Sequence, residues 1–189
     1  MSAPTTVDLT GTWDIDPSHT RLGFAARHAM VATVRGGFDV FSGTIVIDHR
    51  NPAASSAEVE IDTASISTGN EQRDQHVRGA DFLDVENYPT ITFKSTSAKE
   101  VDDDTYELAG DLTIKGTTHP VTLELEYQGS NPDPWGNTRA GFEGKTTINR
   151  KDWGLTWNVA IEGGGILVGD KVKLELDVAA VKRVTPDAE

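Results

Sequence analysis

Five histidines are the residues of this sequence best suited to proton transfer or metal binding, and their spacing decides what they can do. His19, His28, His49, His76 and His119 stand singly, with no second histidine or cysteine at the short intervals that zinc sites use. A metal site built by the protein is therefore not expected. Asp16, Ser18 and His19 are the residue types of a hydrolytic triad, but triad members normally converge from separated positions. Three nearly consecutive ones read better as a turn whose histidine is held by backbone groups. No Gly-x-Ser-x-Gly elbow, Walker loop or dinucleotide fingerprint occurs. Gly163-Gly164-Gly165 has no helix signature behind it, so it reads as a flexible loop and not as a phosphate cradle. Trp13, Trp135, Trp153 and Trp157 suit either the lining of a pocket or packing at its rims. No residue is assigned a catalytic role and no cofactor is expected.

Composition narrows the partners. Seventeen Lys and Arg against thirty Asp and Glu leave a net charge of −13, which repels polyphosphate and excludes nucleic acid as the natural partner. The same charge argues against docking on anionic lipid headgroups by charge alone. Without cysteine there are no disulfides and no thiol chemistry. No apolar run is long enough for a spanning helix, and the first residues have neither a basic segment nor an apolar one of the kind that directs secretion. The expectation is a cytoplasmic protein that is not integral to a membrane, and a homodimer is compatible with it.

The elements that must position any site are strands. Leu22, Phe24 and Ala26 alternate with Arg21 and Arg27; Ala57, Val59 and Ile61 alternate with Glu58, Glu60 and Asp62. Ile91 and Phe93, then Leu108, Leu112 and Ile114, continue the pattern. It runs on through Val121, Leu123, Leu125 and Tyr127, through Ala140, Phe142 and Ile148, and through Val172, Leu174, Leu176 and Val178. Within 34–48 the apolar phase slips from even (Phe38, Val40) to odd (Phe41, Ile45, Ile47), which predicts a β-bulge bending one long strand. Lys115-Gly116 between two such runs is a hairpin signal. About eight strands, each wet on one face and apolar on the other, predict an all-β antiparallel sheet. Closed into an eight-stranded barrel it encloses side chains or one slender ligand; split into a two-sheet sandwich it leaves no cavity.

One stretch breaks the rhythm. Residues 68–78 read as a short helix, with Thr68 and Glu71 as a capping box, Asp74 and Arg78 as an i,i+4 pair, and Gly79 as a left-handed stop. Only Val77 is strongly apolar between Asn70 and Arg78, so anchoring is expected from Phe82 and Leu83 beyond its end. Asn70, Arg73, Asp74, His76 and Val77 are the expected cover-helix residues, over a barrel end that a sandwich would not have. A solvated connection is the plainer alternative. The organisation expected is a flexible N-terminal tail over 1–10, a single domain over 11–183 and a C-terminal tail over 184–189.

Several blocks in order resemble the YceI-like family: Trp13-Asp14-Ile15-Asp16-Pro17-Ser18-His19-Thr20, then Ser67-Thr68-Gly69-Asn70-Glu71-Gln72-Arg73-Asp74-Gln75-His76-Val77-Arg78-Gly79-Ala80-Asp81-Phe82-Leu83-Asp84, then Tyr88-Pro89-Thr90-Ile91-Thr92-Phe93, Gly110-Asp111-Leu112-Thr113-Ile114-Lys115-Gly116 and Asn149-Arg150-Lys151-Asp152-Trp153-Gly154. The resemblance implies a lipocalin-like antiparallel barrel with a helical cover. It also implies binding of polyisoprenoids, including isoprenoid-quinone-like lipids, inside that barrel. Family members are often periplasmic, and this sequence departs from them in lacking a leader.

The expected function is binding, sequestration or transport of a long apolar isoprenoid. The alternatives are an enzyme acting on a hydrophobic substrate and a ligand-free stress-response or interaction module. Expected lining residues are Phe24, Phe38, Val59, Ile61, Phe82, Phe93, Leu112, Leu123, Phe142, Trp153 and Leu174.

Overall fold

The computed structural model describes residues 7–184. Eleven strands and one two-turn helix follow in the order β1 (Gly11–Ile15), β2 (Arg21–His28), β3 (Ala32–Phe38), β4 (Phe41–Ile47), β5 (Ser56–Asp62), β6 (Ile66–Ser67), α1 (Glu71–Arg78), β7 (Thr90–Asp102), β8 (Thr105–Ile114), β9 (Thr117–Pro132), β10 (Thr138–Asn149) and β11 (Val168–Lys182). All pairings between them are antiparallel, and β1 pairs with both β4 and β11, so the sheet closes on itself. Closure decides for the barrel and against the sandwich.

Eleven strands make an eight-membered ring because three members are broken in two. β1 and β2 lie end to end along β11, β4 and β3 run beside them, and β5 and β6 come next. The three breaks are neighbours. Asp39 N–H donates to the Ser65 carbonyl (3.3 Å), Asp62 N–H to the Val40 carbonyl (2.9 Å), and Val40 N–H to the Ser65 hydroxyl (3.0 Å). The expected bulge in 34–48 is therefore a full interruption at Asp39 and Val40. Phe38 and Phe41 both turn inward, as the phase slip predicts, but Val40, read with Phe38 in the inner phase, falls in the break and is exposed. The Lys115-Gly116 turn has positive φ at both residues, as the tight hairpin between β8 and β9 requires.

The inward rows stack into a core along the barrel axis. Trp13 is fully buried near one end with Leu9, Ala140 and Ala180, and its indole N–H donates to the Leu9 carbonyl. Leu9 thus belongs to the packed structure, against its expected place in a tail ending at residue 10; residues 1–6 of that tail, and 185–189 of the C-terminal one, lie outside the described residues. At the other end Ile66, Leu83, Ile91, Leu112, Ile114 and Trp153 form the largest buried cluster. Interior glycines make room for aromatic rings: a Cβ at Gly36 would fall 2.6 Å from the Phe24 ring, and one at Gly110 would fall 2.5 Å from Phe93.

α1 departs from its sequence reading in three details. Its N-cap is Asn70, whose side chain accepts from Arg73 N–H, and not Thr68. Thr68 instead donates its N–H and hydroxyl to Asp74, so Asp74 is buried and turned away from Arg78. Arg78 reaches the carbonyls of Ala64 and Ile66 at 3.0 Å. Gly79 has φ −77°, an extended backbone, because the turn that follows takes up the last helix carbonyls: Leu83 N–H bonds Val77 and Val85 N–H bonds Arg78. α1 also has a wall to complete. β7 begins opposite Asp62, and beyond that level, among the described residues, β6 pairs only with β3. Residues 68–89 fill the section of barrel wall that strand pairing leaves open.

Candidate functional site

Two apolar cavities lie end to end inside the barrel. The larger, about 270 Å³, occupies the end bounded by β2, β3, β6 and α1, and the smaller, about 150 Å³, the end bounded by β1, β4 and β5. The two-residue repeat of the strands explains the pairing. Phe24 on β2, Ile91 on β7 and Leu174 on β11 face the larger cavity, and Leu22, Phe93 and Leu176, each two residues away on the same face, line the smaller.

Of the expected lining residues, Phe24, Phe38, Phe82 and Leu174 meet at the larger cavity, and Val59, Phe93, Leu123 and Phe142 at the smaller. Ile61, Leu112 and Trp153 line neither. They pack in the core, where the Trp153 indole N–H donates to the Leu112 carbonyl and its ring meets His119 edge-on. From the helix, Arg73, His76 and Val77 reach the cavity wall; Asn70 is the cap and Asp74 the buried partner of Thr68.

The polar groups of the larger cavity lie among groups that hold its wall together. Arg73 donates through Nε to the Thr68 hydroxyl and through Nη2 to the Thr68 carbonyl, both at 2.7 Å. Arg150 is buried, and its guanidinium is spent on the carbonyls of Gly169, Leu155, Trp157 and Val168, with Asp170 at 3.7 Å. Burial pulls this guanidinium below its usual pKa, and the Asp170 charge offsets part of the effect. Arg150 thereby ties the segment after Trp153 to the start of β11. That segment delivers Trp157, whose ring closes a trio with His76 (4.7 Å) and Phe82 (5.3 Å) between the loop and the turn after α1. His76 Nε2 lies 3.0 Å from Asp81.

Sequence reasoning left Trp157 open between pocket lining and rim packing, and missed Leu155, Leu167 and Val168 as wall residues. Val168 opens β11 in the inward phase of Val172 and Leu174; Leu155 and Leu167 follow no strand period, and the signal that could have found that segment is Arg150, a cation that needs several carbonyls once buried. The Asp16, Ser18 and His19 group sits outside the cavities. Ser18 donates to Asp16 at 2.6 Å, His19 Nδ1 lies 2.8 Å from it, and Arg139 reaches it at 2.6 Å while also bonding Asp133. The Ser18 hydroxyl, ahead of His19 and Arg139, holds Asp16 far below the ordinary carboxylate range. This is a lock between the β1–β2 break and β10. Among the described residues, no three His, Asp or Glu side chains converge as a metal-ligand set.

Comparison with known proteins agrees with this architecture. The YceI-like domain model matches residues 13–180. Protein YceI of Shigella flexneri is 43% identical over 142 residues, covering 75% of this chain and 74% of the relative. The crystal structure of Burkholderia cenocepacia BcnA superposes with a TM-score of 0.75 at 24% identity, over 87% of this chain and 98% of that one. The structure of a polyisoprenoid binding domain from Saccharophagus degradans gives 0.67 at 15% identity, over 90% and 98%. At these identities the two superpositions speak to the fold alone. A match running from β1 almost to the end of β11, with a relative above 40% identity over three quarters of the chain, places this barrel in the YceI-like family.

Proposed function

We propose that the protein binds a long apolar isoprenoid lipid, with the larger cavity as the entry site and the smaller one in line to take the far end of the chain. The observation that carries this reading is the wall of the larger cavity: Phe24, Phe38, Ile91, Ile148 and Leu174 inside, with charged side chains confined to Arg27, Arg73 and Arg150. A wall of this kind selects for hydrocarbon and offers a polar chain few partners along its length. The Saccharophagus degradans domain, described as polyisoprenoid binding, shares the fold and supports the reading by analogy.

Chain length follows from magnitudes. Burying one methylene contributes about 0.8 kcal/mol, so a five-carbon unit gives on the order of 4 kcal/mol. Association costs roughly 4–15 kcal/mol, and several units are needed before binding is firm. The role is carriage and not catalysis: the rings of Phe82 and Trp157 pack on His76, the cavity-wall histidine paired with a carboxylate, which suits it to closing a rim.

Solvent extraction of protein purified from its own host, read by mass spectrometry, tests the proposal. A prenyl lipid in near-stoichiometric amount is expected, with added polyprenol raising the Tm of lipid-free protein. Clean extracts together with an unmoved Tm would favour the interaction-module alternative.

A further inference from the structure

Beside α1, which it meets where Trp157 packs on His76, half of the rim is built from two loops that are one unit. The β2–β3 turn and the segment 154–167 are joined by Ala29 N–H to the Leu167 carbonyl (2.7 Å), and Met30 lies against Gly165. On the inside this unit supplies Arg27, His28, Trp157 and Leu167 to the larger cavity. On the outside it presents Met30, Val31, Val159 and Ile166, with Val31 81% exposed. Ala29 and Met30 have φ of +48° and +62°, a conformation glycine would hold at less cost, yet the tip keeps a methionine and a valine in water.

Charge around this patch runs against the rest of the molecule. Residues 24–38 carry Arg27, His28 and Arg35 and no carboxylate, and residues 153–169 carry only Glu162. The acidic turn Asp102-Asp103-Asp104 belongs to the opposite end, beside the smaller cavity. Thr105, next to that turn, pairs with Glu126 of β9, and the patch lies at the level of the Thr117 end of the same strand, which puts those charges roughly 25 Å away along the axis after allowing for strand tilt. The Debye length at physiological salt is about 8 Å, so they are screened from anything at the patch. Those three charges therefore do not govern what docks here. The other half of the rim, with Glu71, Asp81, Asp84 and Glu86, stays polar and acidic, which would tilt the molecule onto the apolar half.

We infer that this half-rim docks on the surface of an anionic lipid bilayer, inserting Met30, Val31, Val159 and Ile166 while Arg27 and Arg35 meet the headgroups. The inference rests on the proposed lipid cavity for its purpose, since docking would set the cavity mouth against the membrane that holds the hydrocarbon. Co-flotation with phosphatidylcholine vesicles, with and without phosphatidylglycerol, tests it. The full chain is expected to float with the anionic vesicles and to be released by salt. Val31→Asp combined with Val159→Asp should lower the bound fraction about tenfold, by placing charge at the inserted tips. The same variant should keep the wild-type circular dichroism and Tm, and should still take up a fluorescent polyprenyl probe from an ethanol dispersion while taking it up slowly from vesicles. No flotation with either vesicle, or equal flotation of the double variant, overturns the docking. So does a dimer in sedimentation that the substitutions disperse, because it assigns the patch to a second copy. Vesicle binding without uptake from ethanol would instead sink the cavity reading and leave docking standing.

Discussion

At Phe82 and Leu83 two adjacent side chains divide the work of anchoring α1. Leu83 is 7% exposed and sits in the main core cluster, whereas Phe82 is half-buried between His76 and Trp157. Both are expected as anchors from the sequence, but the turn after Gly79 gives the core position to Leu83 alone. Leu83→Ala should cost about 2–5 kcal/mol, the usual range for emptying a buried aliphatic site. Phe82→Ala should cost clearly less while speeding ligand escape; denaturant midpoints and off-rates on both variants decide, and equal midpoints would contradict the division. The Asp16 lock is a pH probe. Its carboxyl is held below the ordinary value, so its contribution is complete above about pH 4 and is lost as pH falls through the lowered folded value. Asp16→Asn should be less stable at pH 7 and should lose less on going from pH 4 to pH 2. Thermal melts across that range check this, and parallel curves would show that the lock contributes nothing. Nearby, burial pushes Asp133 up but donors from Asn137 and Arg139 outweigh it, bringing it to about 2; Asp133 stays charged in both proteins until the end of the range.

At the scale of elements, α1 is held by its ends. Asn70 caps one, Leu83 and Val85 N–H groups close the other, and Val77 is its one aliphatic contact with the core cluster. Val77→Gly removes that contact and adds backbone freedom, so the section of wall between β6 and β7 should open locally without unfolding the barrel. A faster ligand off-rate with a nearly unchanged midpoint is expected; a collapsed midpoint with an unchanged off-rate would make α1 a strut. The existence and place of this helix were legible because Val77 alone interrupts its polar run. Its caps were not, since Thr68, favoured only by its capping-box spacing to Glu71, is drawn off to satisfy buried Asp74, and Asn70, the stronger N-cap residue by type, takes the cap. The same holds for the strands. Alternation exposed the inward rows of the long strands but not two-residue β6 with its buried Ile66, and the phase slip located the break at Asp39 and Val40. It could not show that the breaks near Asp16, Asp39 and Thr63 align, because alignment is a matter of register between strands.

For the whole molecule, about eight strands with one apolar face each left barrel and sandwich both open, and only the unmatched helix favoured closure. That the interior is two chambers in line was beyond the sequence: alternate inward residues such as Leu22 and Phe24 look equivalent until the wall bends between the ends. The pairing of β1 with β11 carries a consequence of a different kind. Thr20 and Ala179 exchange hydrogen bonds across 159 positions of chain, so the ring cannot shut until β11 has left the ribosome. Until then β1, with Trp13, has no second neighbour, and the growing chain presents a curved ribbon with its oily side bare. Loop closure over that distance makes the final step the slow one. A cell making this protein must shelter that ribbon for the time translation takes to deliver its last strand.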